Sequence, residues 1–335
     1  MTNNDTEPEF ERPFRILCVN GGGVLGILPS RILEHMEVIT GNKLSTMFDL
    51  VCGTSVGGLI SGVIGSPEDI HITDAIDKLK NTKMFQSSFL RNMVTIGGIL
   101  RPRIATKIRD AELQDLYGNT KLGDCKPHVL TVSYDLKSGR AKTFSTAKDP
   151  SIALTDAVKA SAAVPTVWEP HVVNDAICID GGIFSNNPML YGITEALTTY
   201  GKTPDQIMIF SLGTGYLQDN LDKPTTSSNG LHLINQLIRT YVSSNTINSV
   251  TLTENLVKDM SRFVHLDFPL ELKSFKFLST KKNHVDRLEE VAKKVIIQNE
   301  GILNEFAKDL SESHGGSGRL AAKKHQDFPR YYTNI

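Results

Sequence analysis

Four short apolar runs in this chain each stop abruptly at a glycine turn, and that recurrence constrains the fold more than any other feature. Phe14 to Val19 (FRILCV) runs into Asn20-Gly21-Gly22-Gly23, and Phe48 to Cys52 into Gly53-Thr54-Ser55-Val56-Gly57. Ile177 to Ile179 runs into Asp180-Gly181-Gly182, and Ile207 to Leu212 into Gly213-Thr214-Gly215. Apolar runs of this length, closed by glycine, read as buried strands. Helical spacing follows the first two: Ile32, Leu33, Met36 and Ile39 recur between Pro29 and Gly41, and Leu59 to Ile64 begins a second helix. Consecutive strand-turn-helix units predict a mostly parallel sheet with helices on both faces, a three-layer α/β/α architecture. The carboxyl ends of such strands form the ligand crevice, so the glycine turns are expected to converge there.

The remaining chain divides by pattern. Residues 1–13 are a polar, acidic lead and residues 14–215 the core. Residues 216–310 are a mostly helical extension packed on it, and residues 311–335 a Gly/Ser-rich, then basic, tail expected to be partly disordered. Within the core, His128 to Asp135 and Lys142 to Ser145 read as strands paired around a Lys137-Ser138-Gly139 turn, and Ala153 to Ala162 as a small-residue helix. Asp69 to Gly118 is helical but interrupted, and reads as a cap. In the extension, Leu231 to Ser244 and Val285 to Leu310 have helical character and Phe263 to Phe268 is a candidate strand.

Charge and cysteine usage exclude several classes of function. The formal net charge is -1, so no global field draws the chain to nucleic acid, and charge-driven binding must be local. The lead has no apolar signal-peptide core, and nowhere do about 18 apolar residues run together as a spanning helix requires. A cytoplasmic protein, at most peripheral at membranes, is expected. Cys18, Cys52, Cys125 and Cys178 lack metal-ligand spacing and read as buried apolar residues in a reducing compartment. No metal or cofactor is expected.

Gly53-Thr54-Ser55-Val56-Gly57 fits G-x-S-x-G between strand and helix, a turn that exposes a serine hydroxyl beside the positive end of the following helix. Gly21-Gly22-Gly23-Val24-Leu25-Gly26 fits two templates. One is the G-x-G-x-x-G dinucleotide fingerprint. The other is a loop whose amides, from Gly21, Gly22, Gly23, Val24 and Gly26, point at a tetrahedral intermediate. The dinucleotide reading needs a carboxylate at the carboxyl end of the second strand, where this chain has Gly53-Thr54-Ser55. A serine also needs a proton acceptor. None of the nine histidines sits in a glycine-bounded turn after a strand, although His232, His265 or His284 complete a Ser-Asp-His order. Asp180 follows a strand, precedes Gly181 and Gly182, and shares the topology of the other turns.

Together these residues resemble the patatin-like phospholipase family. The likeness rests on the glycine triplet, the Ser55 turn, Ala160-Ser161-Ala162-Ala163-Val164-Pro165, and Asp180-Gly181-Gly182 with Asn186-Asn187-Pro188, in the family's order from about Phe14 to Gly215. The resemblance implies a lipid acyl hydrolase of phospholipase A type in which Ser55 forms an acyl-enzyme and Asp180 is the base. The Gly21 to Val24 amides would then hold the oxyanion, and Ala160 to Pro165 would support the site from below. Two positions depart from the family: Asn20 replaces a common Asp, and Leu25 stands where a basic residue is frequent. Some bacterial members are toxins or ligand-activated effectors, so an activating ligand or protein partner is also expected; the oligomeric state is left open. Membrane phospholipids are the expected partner. Met84 to Ile96, including Phe85 and Phe89, is expected to form the acyl-chain surface, with Arg101, Arg103, Lys107 and Arg109 on lipid phosphates. A catalytically silent lipid-binding module on the same fold is the non-enzymatic alternative.

Overall fold

Strand β1 (Phe14–Val19) lies inside the sheet, paired in parallel with β2 (Leu50–Thr54) on one edge and β7 (Ile207–Leu212) on the other. Covered on both faces and both edges, these strands have no solvated side, which is why they are nearly continuous apolar runs rather than alternating ones. The computed structural model describes residues 12–68, 70–84, 106–218, 244–256, 263–271 and 277–311. Beyond β2 comes β3 (His128–Asp135), also parallel, and beyond β7 comes parallel β9 (Phe263–Leu266). Two strands pair antiparallel with β3, namely β4 (Arg140–Ser145) and β6 (Ala176–Asp180), while β5 (His171–Val173) pairs antiparallel with β6. The sheet order is β5-β6-β3-β2-β1-β7-β9, with β4 on β3. A small second sheet joins β8 (Tyr216–Gln218) and β10 (Pro269–Glu271).

Helices cover both faces, giving the expected three layers. Ile27–Thr40, Val56–Gly65, Leu154–Ser161, Lys282–Gln298 and Glu300–Ser311 pack over the face that carries Leu17, Val51 and Phe210. Met189–Thr198 and a helix at residues 244–256 cover Ile16, Cys18, Leu50 and Leu130 on the other. All four cysteines are buried and free. Among the described residues no helix is long and apolar enough to cross a membrane.

Several local expectations change. The sheet continues past Gly215, since β9 of the expected extension pairs with β7 and the Phe306 ring stacks on Phe210 at 4.7 Å between centroids. The expected single helix from Val285 to Leu310 is two helices. Asn299 turns its side chain back onto the Val295 carbonyl and ends the first one, as a residue that competes for backbone hydrogen bonds does. Of the expected cap surface, Phe85, Phe89, Arg101 and Arg103 lie outside the described residues. Arg109 corrects the reading of that segment: it is 1% exposed, bonded to Asp110, with its guanidinium 5.7 Å from the Trp168 ring centre. Buried there, it faces no lipid phosphate.

Candidate active site

The register of β3 explains why Ser55 and Asp180 meet. Val132 pairs with Thr54, the last residue of β2, and the next residue, Ser133, pairs with Asp180, the last residue of β6. Both pairings leave the opposite edge of β3 to β4, which holds Leu130 to Asp135 throughout. Strands β2 and β6 therefore lie along the same edge of β3, run toward each other and stop end to end. Two turns that are far apart in the chain are forced together at that junction.

The β2 end is a tight elbow. Ser55 has φ 56° and ψ -120°, a left-handed conformation that costs a non-glycine residue about 1–3 kcal/mol. Neighbouring structure imposes it. A Cβ on Gly57 would lie 2.0 Å from the Val19 carbonyl oxygen, so the helix start can press against β1 only because that residue is glycine. The Ser55 amide donates to Ser161 Oγ at 2.9 Å, and Ser161 donates onward to the Val132 carbonyl at 2.6 Å. Thr54 Oγ1 donates to the Ser185 carbonyl at 3.0 Å. Ser55 itself is 8% exposed at the head of the Val56–Gly65 helix.

Asp180 is 5% exposed, and its amide donates to the Ala163 carbonyl at 3.0 Å. Its Oδ1 accepts the Gly182 amide at 2.7 Å. Burial raises its pKa from 3.8 to about 6, opposed by hydrogen bonding from the Ser55 side chain and the Gly182 amide. Oδ2 is buried and accepts no hydrogen bond of ordinary geometry.

The glycine triplet borders the same junction, since a Cβ on Gly21 would lie 3.2 Å from Ser55 Cβ. Most of its expected donors are engaged elsewhere. The Gly21 amide donates to the Asn186 carbonyl at 3.1 Å, the Val24 amide to the Phe277 carbonyl at 2.8 Å, and Gly26 closes the short 3-10 turn Gly23–Gly26. Among the described residues nothing accepts from the amides of Gly22 and Gly23, so those two of the five expected donors are unengaged. Gly23 has φ +59° and packs where a Cβ would meet the Phe277 oxygen at 2.2 Å.

Residues outside the expected set hold this loop. Thr214 Oγ1 donates to the Gly21 carbonyl at 2.6 Å, and Asn186 Nδ2 to the same oxygen at 3.3 Å. Asp267, the residue after β9, accepts the Gly215 amide at 2.9 Å and so fixes the turn that carries Thr214; burial raises its pKa to about 7. The glycines around Thr214 and the Asn186-Asn187-Pro188 motif signalled two of these, whereas nothing local signalled Asp267 or Phe277. His265 does not serve Ser55. It lies on β9, three strands from β2 at about 4.8 Å per strand, where it pairs with Ser211 of β7, and burial lowers its pKa to about 4. His232 lies outside the described residues, and His284 is buried on the Lys282–Gln298 helix. Among the described residues no group of three or more His, Cys, Asp or Glu is arranged to hold a metal ion.

Comparison with known proteins adds to this geometry. The chain is 26% identical over 209 residues to a cGAMP-activated phospholipase of Pseudomonas aeruginosa, covering 60% of this chain and 62% of that protein. It is 29% identical over 241 residues to probable inactive patatin-like protein 9 of Arabidopsis thaliana, covering 62% of each. The chain therefore spans less than two thirds of the length of these relatives. Among solved structures, VipD from Legionella pneumophila aligns with a TM-score of 0.44 at 11% identity, over 84% of this chain and 67% of that one. Residues 17–193, more than half of the chain, match the family described as patatin-like phospholipase, and the chain belongs to that family.

Proposed function

We propose that this chain hydrolyses carboxylic esters of glycerophospholipids, releasing fatty acid in two steps through an acyl group carried on Ser55. In the first step Ser55 Oγ attacks the ester carbonyl while Asp180 takes the hydroxyl proton. The amides of Gly22 and Gly23 stabilise the oxyanion of the tetrahedral intermediate. As the ester C–O bond breaks, Asp180 returns the proton to the departing alcohol, leaving acyl-Ser55. In the second step Asp180 takes a proton from water, which attacks the acyl carbonyl, and the proton returns to Ser55 Oγ as the fatty acid leaves.

One observation carries this reading: a strained serine at the elbow after β2 lies against a buried carboxylate whose second oxygen has no other partner. A carboxylate is a weak base, so much of the acceleration falls to the two amides and to exclusion of water. The test is fatty-acid release from defined phospholipids by wild type, Ser55→Ala and Asp180→Asn. Loss of release in both variants, with the fold intact, is expected; equal release by all three proteins overturns the mechanism and leaves a lipid-binding module.

Regulation by a ligand belongs to the same reading. It is supported by the relative named as cGAMP-activated and by the bond from the Val24 amide to Phe277, a residue beyond Gly215. Fatty-acid release is expected to rise when a cyclic dinucleotide is added. Equal release with and without cyclic dinucleotides removes this part and leaves the hydrolytic chemistry standing.

A further inference from the structure

The β5-β6 hairpin and the end of β3 project past the carboxyl ends of β1 and β2, on the same side of the sheet as the Ser55 junction, and they carry an apolar strip. Val172 pairs with Ile177 across β5 and β6, and the Leu136 amide donates to the Ile177 carbonyl at 2.8 Å, so the three residues form one cross-strand row. Cross-strand partners share a face, and all three are exposed: Val172 at 61%, Leu136 at 49% and Ile177 at 40%. The next row holds Tyr134 and Ile179, and the Phe184 ring packs on Tyr134 at 5.9 Å between centroids. Phe184 and its neighbour Ile183 are themselves exposed and belong to the loop that leaves Asp180.

We infer that this strip is the surface by which the protein docks on a phospholipid membrane. Its occupant is assigned on the ester-hydrolase reading above, because the strip is continuous through Ile183 and Phe184 with the loop that holds Asp180. A bilayer seated on it would present its lipids at the Ser55 junction. Charge also fits an anionic surface. Lys137 and Arg140 are exposed at the tip of the adjoining β3-β4 hairpin, whereas Asp135 turns inward to accept the amides of Lys137, Ser138 and Ile177 at 3.0, 3.2 and 3.0 Å. Asp175, at the β5-β6 turn, is one exposed carboxylate against these two cations. The three amide bonds tie the hairpins together, so the apolar side chains stand on a fixed platform and little ordering accompanies docking. Exposed apolar rows of this kind mark interaction surfaces, and an apolar row rimmed by cations suits the boundary between headgroups and acyl chains.

The experiment measures flotation of the Ser55→Ala protein with vesicles of equal parts phosphatidylcholine and phosphatidylglycerol. Binding is thereby read without hydrolysis. Adding Leu136→Asp with Val172→Asp is expected to weaken binding by about tenfold or more. The same pair of substitutions on wild-type Ser55 should leave hydrolysis of a short, water-soluble ester unchanged. Lys137→Glu with Arg140→Glu, at an exposed turn, gives a second variant should the first fail to fold; its binding should fall about tenfold and lose most of its salt dependence. Vesicle binding unaltered in either folded variant overturns the proposal. So does a dimer in light scattering that Val172→Asp dissociates, which would assign the strip to a second copy of the chain. If the wild type cleaves no ester while Ser55→Ala still binds vesicles through this strip, the hydrolytic reading fails and the docking surface stands.

Discussion

The backbone amide of Ser55 donates to the hydroxyl oxygen of Ser161 at 2.9 Å, and that hydroxyl donates to the carbonyl of Val132 at 2.6 Å. One fully buried side chain thus clips the elbow of β2 to the strand whose register brings Asp180 alongside. Ser161→Ala removes the clip and leaves the Ser55 amide buried without an acceptor, at a cost of about 1–3 kcal/mol. The elbow conformation is itself strained, so part of that cost should appear as relaxation of Ser55. We predict a fall in kcat of about tenfold to a hundredfold on a soluble ester, with KM little changed, because relaxation misplaces the attacking oxygen rather than the bound ester. A variant that loses melting temperature but keeps wild-type kcat would reduce Ser161 to a packing residue.

Activity should report the titration of Asp180. Its pKa is raised to about 6 by burial, and only the ionised form accepts the Ser55 proton. The profile of kcat/KM against pH on an uncharged ester should therefore be flat above about pH 7 and fall tenfold per pH unit well below 6. A midpoint near 4 would mean that the carboxylate is solvated in the working enzyme, contrary to its burial.

The same burial makes Asp180 a liability for stability. Its folded pKa lies above the unfolded value, so the fold prefers the protonated form. The penalty is absent below about pH 4, grows as pH rises toward 6 and is constant above that. A rise from 3.8 to about 6 corresponds to about 3 kcal/mol at neutral pH. Asp180→Asn keeps the acceptor for the Gly182 amide and removes the charge, so it should melt several degrees above wild type at pH 7.5, and the gap should close by pH 4. An equal gap at both pH values would assign the gain to something other than the buried charge.

Much of this site is legible in the chain itself, for reasons that particular residues make plain. A parallel strand buried on both faces must be apolar throughout, and the sharp turn after it needs glycine. FRILCV, the run into Ser55, and IMIFSL therefore declare both the strands and the turns where chemistry gathers. Other features are matters of register and long-range packing, which leave no local trace. That β2 and β6 share an edge of β3 follows only from pairing, and the contact of Phe277 with Val24 joins opposite ends of the chain. Strand β5 is three residues long, below the length at which alternation can be read. Arg109 misled because a cation in a charged run is ordinarily solvated, whereas this one is buried over Trp168.

If the oxyanion rests on two amides alone, their loop should tolerate no added bulk. A Cβ on Gly22 would lie 2.3 Å from Thr214 Oγ1 and 2.6 Å from Thr214 Cβ, so Gly22→Ala must push the loop away from the turn that holds it. Both amides then leave their positions, and kcat should fall by about a hundredfold to a thousandfold, as when a hole donor is lost, with KM changing far less. Thr214→Ala separates the two effects. It deletes the 2.6 Å bond to the Gly21 carbonyl without adding an atom, so the loop keeps its path and loses one tether. Its kcat should drop by about tenfold or less. Steady-state kinetics of both variants on one soluble ester checks the ordering. A Gly22→Ala protein that turns over as fast as Thr214→Ala would show that the amides of Gly22 and Gly23 do not carry the oxyanion.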